Sequence, residues 1–312
     1  MTPKIKVVST GRYLPAGKLT NADLEKIVDT TSDWIETRTG IISRRIAKGE
    51  LTSDMATKAA QKAIDAVGYD INNIDLIIVA SITGDQQTPS TANFVQTKLG
   101  LNHKTVMAFD INAACTGFVY ALEIASSMLQ TGRFRAALLI GAEMLTKCVD
   151  YTDRNTCVLF GDGAGAMIIE PSDQMQHTAH FFSASRGDTE NTLTVIANKI
   201  QMDGKRVYAF AVTVVEEAIR HILNVASLEP SDIEVIIPHQ ANIRIIQSVA
   251  KSLEIPLEKF FVNIREYGNT SAASIIIALD EYREQNPTSQ FKKALLVGFG
   301  GGFTWGSAII TL

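Results

Sequence analysis

The amino-acid sequence predicts an α/β protein built from two similar layered halves. Strand-like apolar runs alternate along the chain with segments of helical pattern. Runs such as LIIVA and ALLIGA contain almost no polar residues, which is typical of strands buried on both faces of a parallel or mixed sheet. AALLIGAEM (136–144) and KALLVGFGG (293–301) also resemble each other, and each is followed by a loop and a further apolar strand. A duplication explains this likeness, although βα units in general share such a look.

The first half, residues 1–172, begins with a strand-like run and then alternates helix and strand. Its helical segments carry apolar residues at helical spacing, and its strand segments are short apolar runs. We expect helices at 53–68, at 91–100 and in the apolar stretch after Cys115, and strands at 5–9, 75–82, 106–111, 136–144 and 165–171.

The second half, residues 173–312, repeats this rhythm after a junction near 171–178. We expect helices at 209–228, 243–255 and 271–286, and strands at 180–185, 233–240, 259–264, 293–302 and 307–312.

Composition excludes several classes of protein. The 312 residues are 46% hydrophobic and 20% charged, an ordinary globular balance with ample length for a large core. A formal net charge of −4 argues against a generally basic nucleic-acid binder, though not against a local basic patch. Three cysteines without a CxxC pair favour neither a disulfide framework nor a structural zinc site.

We expect neither a signal peptide nor a transmembrane segment. The N-terminal residues lack a long apolar region of the kind found in signal peptides, and no 18-residue uncharged apolar run occurs. We therefore expect a soluble protein of a reducing compartment, the cytoplasm, with no membrane insertion.

Chemistry-bearing residues follow four of the predicted strands. Cys115, His239 and Asn269 each stand just past a strand-like run, and so does the loop Gly300–Gly302. In a layered α/β sheet, sites form beyond the carboxyl ends of the strands, so we expect these residues to converge. Each has an ordinary explanation alone, namely a packed cysteine, a hydrogen-bonded histidine, an N-cap cluster or a tight turn. Their joint placement favours a site.

These residue types form a coherent set for thioester chemistry. A helix N-terminus lowers the pKa of a thiol, so Cys115 can attack a thioester carbonyl. Backbone N–H groups of a glycine loop can receive the resulting oxyanion. A neutral His239 and the amide of Asn269 can donate to a second oxyanion, such as the enolate left by decarboxylation of a malonyl thioester.

Five ordered motifs of the sequence carry a resemblance to a known family. DINAACTGF, GDGAGAMII, PHQANIRII, YGNTSAASI and GFGGGFTWGSA, in this order, resemble the β-ketoacyl-acyl carrier protein synthase III family, and SDWIETRTGIISRRIA (32–47) is similar to its N-terminal signature. This is the thiolase-fold condensing enzyme that starts bacterial fatty acid synthesis. The resemblance covers essentially the whole chain and implies two duplicated βαβαβ halves in an α-β-α-β-α arrangement, and a homodimer.

The resemblance also implies a role for particular residues. Cys115 matches the acyl-accepting nucleophile, and His239 and Asn269 match the pair that acts on the malonyl group. The backbone N–H groups of Cys115 and Gly301 match the oxyanion hole. The matches for coenzyme A and carrier protein are Trp34 and Arg154 for the adenine, Arg38 for the phosphates, Gly204 and Asn242 for the pantetheine arm, and Arg244 for carrier-protein docking.

The implied reaction is ping-pong. An acyl-coenzyme A, typically acetyl, acylates Cys115, and malonyl-acyl carrier protein then binds. Its decarboxylation gives an enolate that attacks the acyl thioester, which yields 3-oxoacyl-acyl carrier protein, carbon dioxide and free coenzyme A. The coenzyme A thioesters are substrates, and neither a metal nor a redox cofactor is expected.

The sequence departs from the family pattern in four places. TTSDW (30–34) varies the usual order while it keeps Trp34. Thr88 stands where many members carry a phenylalanine that closes the acyl pocket from the dimer partner, so we expect tolerance of primers longer than acetyl. Residues 185–201 are fewer than the usual insertion, and Ala209 stands where a lysine is common, so carrier-protein docking is less well defined.

Three alternatives stay open. One is a specialised synthase or acyltransferase of secondary metabolism with a different acceptor, and another is a Cys-His-Asn thioester hydrolase. Coenzyme A contacts at Trp34, Arg38 and Arg154 would serve no purpose in such a hydrolase. A non-catalytic scaffold is the third, which the intact Cys115, His239 and Asn269 disfavour. Cys148 and Cys157 are expected to be structural.

Overall fold

The computed structural model describes residues 2–287 and 292–312 of the chain. The strands are β1 (Ile5–Tyr13), β2 (Gly17–Thr20), β3 (Ser43–Ile46), β4 (Ile74–Ala80), β5 (Met107–Ile111), β6 (Ala136–Met144), β7 (Asp162–Pro171), β8 (His180–Ser185), β9 (Leu193–Ile196), β10 (Lys199–Met202), β11 (Val235–Pro238), β12 (Lys293–Gly300) and β13 (Thr304–Thr311). The helices are α1 (Asn21–Leu24), α2 (Ser32–Thr39), α3 (Thr52–Asp65), α4 (Thr91–Lys98), α5 (Gly117–Leu129), α6 (Arg154–Cys157), α7 (Gly204–Ala226), α8 (Ile243–Leu253), α9 (Ile264–Tyr267) and α10 (Ser274–Gln285).

Two mixed sheets with matching topology form the frame. The first sheet has the order β1-β7-β6-β4-β5, with β4 parallel to both β5 and β6 and with antiparallel pairing elsewhere. The second has the order β8-β13-β12-β11, in which β11 and β12 are parallel and the other pairs are antiparallel. A parallel bridge from Ile236 to Phe260 lies beyond β11, at the place that β5 occupies in the first sheet.

Helices cover both sheets on both faces, which gives five layers. Side chains of α3 and α4 pack on the outer face of the first sheet. Helices α5 and α10 lie between the sheets in a core that both sheets share, and α7 and α8 cover the outer face of the second sheet. The predicted α-β-α-β-α arrangement is confirmed, whereas the boundary between halves at residues 172 and 173 stays a prediction.

Both central helices start in the same unusual way. A 3₁₀ turn precedes each, Ala114–Thr116 before α5 and Ser271–Ala273 before α10. The first residue of each turn has a positive φ, +47° at Ala114 and +49° at Ser271. Side chains seldom adopt this conformation because the Cβ atom crowds the backbone, so tertiary contacts must hold both turns in place.

One predicted strand is wrong. Residues 259–264 form a 3₁₀ turn, a single bridge at Phe260 and the start of α9. The buried side chain of Gln240 supplies the hydrogen bonds that a neighbouring strand would give. Its amide nitrogen donates to Phe261 O (3.1 Å), and its amide oxygen accepts from the backbone N–H groups of Asn263 (3.1 Å) and Ile264 (3.2 Å). A side chain has therefore replaced a strand ladder.

The other predicted elements are present with shifted ends. Helix α7 begins five residues before the predicted start at 209, because Asp203 caps it by accepting from Lys205 N and Arg206 N. Strand β1 continues four residues past the predicted end at residue 9. The sequence pattern did not reveal α2, the β2–β3 pair or the β9–β10 hairpin. Within the described residues, no helix is long and apolar enough to cross a membrane.

Candidate active site

A cavity of about 760 Å³ brings the three predicted catalytic side chains together. Cys115, His239 and Asn269 all line it, as does Gly300. They come from the start of α5, the end of β11, the loop before α10 and the end of β12. The cavity therefore lies where the sheets present the ends of β11 and β12, as the strand-end argument predicts.

Cys115 sits in the turn between β5 and α5. The turn is held by Asn112, whose side-chain oxygen accepts from Ala114 N (3.3 Å), and by the positive φ of Ala114. Only 7% of Cys115 is exposed. The sulfur is thus presented at the floor of the cavity by a fixed backbone.

The glycine loop after β12 packs directly on this turn. A Cβ atom added to Gly300 would lie 2.6 Å from Cys115 N, so only glycine permits the approach. Thr304 fastens the loop, since its hydroxyl donates to Ala113 O (3.1 Å). Gly301, the predicted oxyanion-hole donor, follows Gly300 and lies against Leu193 and Ala114. Its predicted role stays a prediction.

His239 is held as a neutral hydrogen-bond donor. Its Nδ1 lies 2.6 Å from the Ser274 hydroxyl, which also accepts from Gln240 N (3.3 Å). We assign the Ser274 O–H as the donor to Nδ1, which places the imidazole proton on Nε2. Burial lowers the pKa of His239 to about 3. The ring is only 3% exposed and packs edge-on against Phe299, with ring centroids 5.3 Å apart.

Asn269 is fixed through its backbone and its side-chain oxygen. Its N–H donates to Leu159 O (2.9 Å), and its carbonyl accepts from Gly161 N (3.0 Å). The side-chain oxygen accepts from Ser271 N (2.8 Å). Nδ2 has no acceptor among the described residues, so this N–H group is available to a ligand in the cavity.

A buried arginine that the sequence did not single out supports this arrangement. The fully buried guanidinium of Arg44 donates to Leu19 O (3.1 Å), Val158 O (2.6 Å) and the side-chain oxygen of Asn21 (3.0 Å). It therefore anchors the segment that follows Val158, which carries the backbone partners of Asn269.

The electrostatics of Cys115 differ from the expectation. Burial, with a smaller contribution from the nearby carboxyl group of Glu143, raises the pKa of its thiol to about 12. The expected lowering at a helix N-terminus is therefore not seen, because burial costs a thiolate its hydration. A group that takes up the thiol proton therefore favours attack by this sulfur.

The mouth of the cavity carries the residues matched to coenzyme A. Trp34, Arg38, Gly204, Asn242 and Arg244 all line it. Asn242 links two of these elements, since its amide donates to Arg38 O (3.0 Å) and its oxygen accepts from Arg244 N (2.9 Å).

Arg154 does not line the cavity, but its guanidinium lies 5.0 Å from the Trp34 ring centroid, and that of Arg38 is equally close. These are cation–π distances. An aromatic ring could enter between Trp34 and Arg154 only if the two side chains separated.

Thr88 is placed elsewhere. It is exposed and lies outside the cavity of its own chain, so its predicted contact with an acyl group requires a second subunit. The β9–β10 hairpin, which the sequence did not predict, contributes Leu193 and Met202 to the cavity wall. The apolar alternation of LTVI was too short to reveal this hairpin.

Comparison with known proteins gives a consistent result. The family model described as 3-oxoacyl-[acyl-carrier-protein (ACP)] synthase III matches residues 109–187, and the one described as its C terminal matches residues 223–312. The beta-ketoacyl-[acyl-carrier-protein] synthase III of Acholeplasma laidlawii is 56% identical over 308 residues, which cover 99% of this chain and 98% of the relative.

Solved structures agree. The crystal structure of 3-oxoacyl-[acyl-carrier-protein] synthase III from Aquifex aeolicus is similar at 45% identity and a TM-score of 0.94, over 99% of this chain and 100% of that chain. The priming beta-ketosynthase of a polyketide biosynthetic pathway is similar at 34% identity and a TM-score of 0.93, over 100% and 97% of the two chains.

Proposed function

The chain belongs to the 3-oxoacyl-[acyl-carrier-protein] synthase III family, the condensing acyltransferases that initiate fatty acid synthesis, and we propose that its cavity performs this condensation in two half-reactions on Cys115. One observation carries the proposal. Cys115, His239 and Asn269 line one cavity whose mouth holds Trp34 and Arg38.

In the first half-reaction, Cys115 takes the acyl group of an acyl-coenzyme A. Trp34, Arg38 and Arg154 offer a stacking surface and positive charge for the nucleotide end, and Gly204 and Asn242 border the path to the sulfur. The thiol sulfur bonds to the acyl carbon, coenzyme A leaves, and the backbone N–H groups of Cys115 and Gly301 receive the intermediate oxyanion.

In the second half-reaction, malonyl-acyl carrier protein replaces coenzyme A. Loss of carbon dioxide leaves an enolate, whose oxygen accepts from His239 Nε2 and Asn269 Nδ2. Both donors are neutral and oriented, through Ser274 and Ser271 respectively. The enolate carbon then attacks the acyl thioester, and 3-oxoacyl-acyl carrier protein is released. No metal or redox cofactor takes part in this scheme.

Carrier protein and a second subunit complete the proposed assembly. Arg244, at the cavity mouth, offers positive charge to an acidic carrier protein. The exposed Thr88 reaches an acyl pocket only across the interface of a homodimer. We place this enzyme in the cytoplasm, where coenzyme A thioesters are made and where its free thiols Cys115, Cys148 and Cys157 stay reduced.

The natural primer is proposed to be acetyl-coenzyme A or a somewhat longer or branched acyl-coenzyme A. Threonine at position 88 leaves more room than phenylalanine, and one methylene in an acyl pocket changes the free energy by about 1–3 kcal/mol. Turnover of acetyl-, isobutyryl- and hexanoyl-coenzyme A by the same enzyme measures this preference. Strict use of acetyl would contradict it.

The experiment that tests the function follows the mass of the intact protein. We expect one acetyl adduct after incubation with acetyl-coenzyme A, absent in Cys115→Ser, present in the control Cys148→Ser, and discharged by malonyl-acyl carrier protein. Rapid discharge by water alone would instead indicate a thioester hydrolase.

A specialised priming synthase is the second candidate, favoured by the likeness to the polyketide priming enzyme. An adduct formed faster from longer primers than from acetyl, with poor transfer to malonyl-acyl carrier protein, would favour it.

A further inference from the structure

A buried carboxyl group that the scheme above does not use lies behind the nucleophile. Glu143, near the end of β6, is 0% exposed. It accepts hydrogen bonds from the Ser81 hydroxyl (3.3 Å), from Ile82 N (3.2 Å) and from the Thr83 hydroxyl. Within the described residues no cation pairs with it. A carboxylate buried without a counterion is costly, so a function is the expected reason for its presence.

The turn before α10 connects this carboxyl group with Cys115. Ala272 of this turn packs against β6 at Gly141, where an added Cβ would lie 2.4 Å from Ala272 O. It also packs against the first residue of α5, since an added Cβ on Gly117 would lie 3.5 Å from the Ala272 side chain. The turn is therefore wedged between the strand of Glu143 and the turn of Cys115.

Ser271 is the residue of this turn that can carry a proton. Its hydroxyl is buried and makes no hydrogen bond within the usual limits of distance and angle. It begins the turn that packs on both the strand of Glu143 and the start of α5, and its hydroxyl lowers the pKa of the Cys115 thiol and that of the Glu143 carboxyl. A hydroxyl that is free to rotate between a donor and an acceptor can pass a proton from one to the other.

The charged and titratable groups around Glu143 are few. Cys115 and Cys148 both have their pKa raised by its charge. Lys147 donates to Thr83 O (2.6 Å) and Gly84 O (2.9 Å) rather than to the carboxylate. Asp162, on the neighbouring strand β7, binds Thr146 and Ala47 N. Burial raises the pKa of Glu143 to about 7, so it exchanges its proton near neutral pH.

We propose that Glu143 is the proton acceptor for Cys115, reached through the Ser271 hydroxyl, and that it keeps the proton until the condensation returns it. This inference rests on the proposed function of the cavity.

In the first half-reaction, acylation of Cys115 moves one proton to Glu143. The Cys115 sulfur bonds to the acyl carbon, and the bond from that carbon to the coenzyme A sulfur breaks. The thiol proton moves to Ser271 Oγ while the Ser271 proton moves to the Glu143 carboxylate. Coenzyme A leaves as a thiolate and takes a proton from water.

The second half-reaction reverses the transfer. The malonyl carbon–carbon bond breaks, carbon dioxide leaves, and the enolate carbon bonds to the acyl carbon as the bond to the Cys115 sulfur breaks. The departing thiolate takes the Ser271 proton, and Glu143 reprotonates Ser271. No proton from solvent is needed in this step, and the enzyme regains its starting state.

Glu143→Gln tests the relay because the amide cannot take up the proton. We expect its rate of acetylation by acetyl-coenzyme A to fall by about 10²-fold, within the range for positioned proton transfer. In the native enzyme this rate rises with pH as Glu143 ionises near pH 7, and in Glu143→Gln that rise is lost. Quenched-flow samples read by intact mass give both results.

The matched control is Glu123→Gln, because Glu123 lies on α5, binds the hydroxyl of Ser183 on β8 and does not line the cavity. It should acetylate like the native enzyme. Decarboxylation of malonyl-acyl carrier protein without primer, which depends on His239 and Asn269, should change little in Glu143→Gln. General damage to the site would slow both reactions.

Ser271→Ala removes the hydroxyl of the relay and keeps the carboxyl group of Glu143. This variant tests the relay if Glu143→Gln does not fold. It should lose acetylation rate and the same rise with pH. Native acetylation rate and pH profile in a folded Glu143→Gln or in Ser271→Ala would overturn the relay and leave the function intact. Failure of the native enzyme to form the adduct would overturn the proposed function itself.

Discussion

Ser274 determines which nitrogen of His239 carries the proton. Its hydroxyl is 2.6 Å from Nδ1 and also accepts from Gln240 N, and we assign its O–H as the donor to Nδ1. With Nδ1 as the acceptor, Nε2 faces the cavity as an N–H donor, which an enolate oxygen requires. This serine reads in the sequence as one more small residue of TSAASI, so no pattern distinguishes it.

Ser274→Ala should impair the second half-reaction selectively. Without the hydroxyl, the imidazole can place its proton on either nitrogen, so we expect decarboxylation of malonyl-acyl carrier protein to slow by about 10²-fold. Acetylation of Cys115 should be little changed. The control is Ser126→Ala, a buried helix serine that bonds only within α5. Equal losses in both half-reactions would argue against this assignment.

Burial of His239 has a consequence for pH dependence. With a pKa near 3 instead of the ordinary 6.5, the ring stays neutral throughout the physiological range. Decarboxylation by the native enzyme should therefore show no ionisation between about pH 5 and 8. Initial rates across that range measure it, and a sigmoid centred near 6.5 would contradict the neutral donor.

The same pKa shift affects stability. The unfolded chain binds a proton on His239 more readily than the folded one does. The contribution of His239 to the free energy of unfolding is therefore fully present above pH 6.5 and is lost as the pH falls toward 3. His239→Gln, which has no such proton to bind, should lose less stability on acidification in urea titrations.

At the scale of elements, the connection between β12 and β13 packs against the turn of Cys115 and fixes the position of that turn. Gly300 has an extended backbone, with φ of −167°, that any residue can adopt. What excludes a side chain is the backbone of Cys115, which a Cβ would approach within 2.6 Å. The sequence pointed to the whole glycine loop, and only the packing distinguishes Gly300 from Gly301.

Gly300→Ala should displace the Cys115 turn. Backbone cannot move aside as a flexible side chain does, so we expect a loss of about 1–3 kcal/mol in the free energy of unfolding, together with at least about 10-fold slower acetylation. Gly187→Ala is the control, since an added Cβ there has nothing within 4 Å. Native rates in Gly300→Ala would show that the turn is not rigid.

Two segments show where the sequence pattern predicts the wrong element or none. Residues 259–264 look like a strand, yet hydrogen bonds from the Gln240 side chain take the place of the ladder. The β9–β10 hairpin is short and half-exposed, so it lacks the long apolar run that revealed the buried strands. Long apolar runs predict the buried strands and helices of the layers well. A side chain that makes the hydrogen bonds of a missing strand, as Gln240 does, leaves no periodic pattern in the sequence.

At the scale of the whole molecule, the layered fold and the meeting of Cys115, His239 and Asn269 could be predicted, because strand ends and motifs are local in sequence. Glu143 could not be assigned a function, although a charged residue within the apolar run AALLIGAEM is a visible irregularity. Its importance depends on Ser271 and Thr83, which only the fold brings near. The pKa of Cys115 likewise depends on burial that no local pattern conveys.

The shared central layer predicts cooperative unfolding. Helices α5 and α10 pack on both sheets in a single core, so neither sheet can lose its partner and keep its inner face covered. Trp34 and Trp305, the two tryptophans of the chain, lie on α2 and β13. Trp34→Phe and Trp305→Phe therefore leave one reporter each.

We expect the fluorescence of the two single-tryptophan variants to follow one transition in urea, each after correction for the stability change caused by its own substitution. Far-ultraviolet circular dichroism of the same samples should give the same midpoint. Separate midpoints for fluorescence and circular dichroism within either variant would show that the sheets unfold independently.

The starts of α5 and α10 share one backbone conformation but carry different chemical groups. The same device, a 3₁₀ turn whose first residue has a positive φ, carries Cys115 before one helix and follows Asn269 before the other. In a single ancestral unit one helix start would have had to serve both chemistries. With two such starts in one chain, each can carry its own side chains without harm to the task of the other.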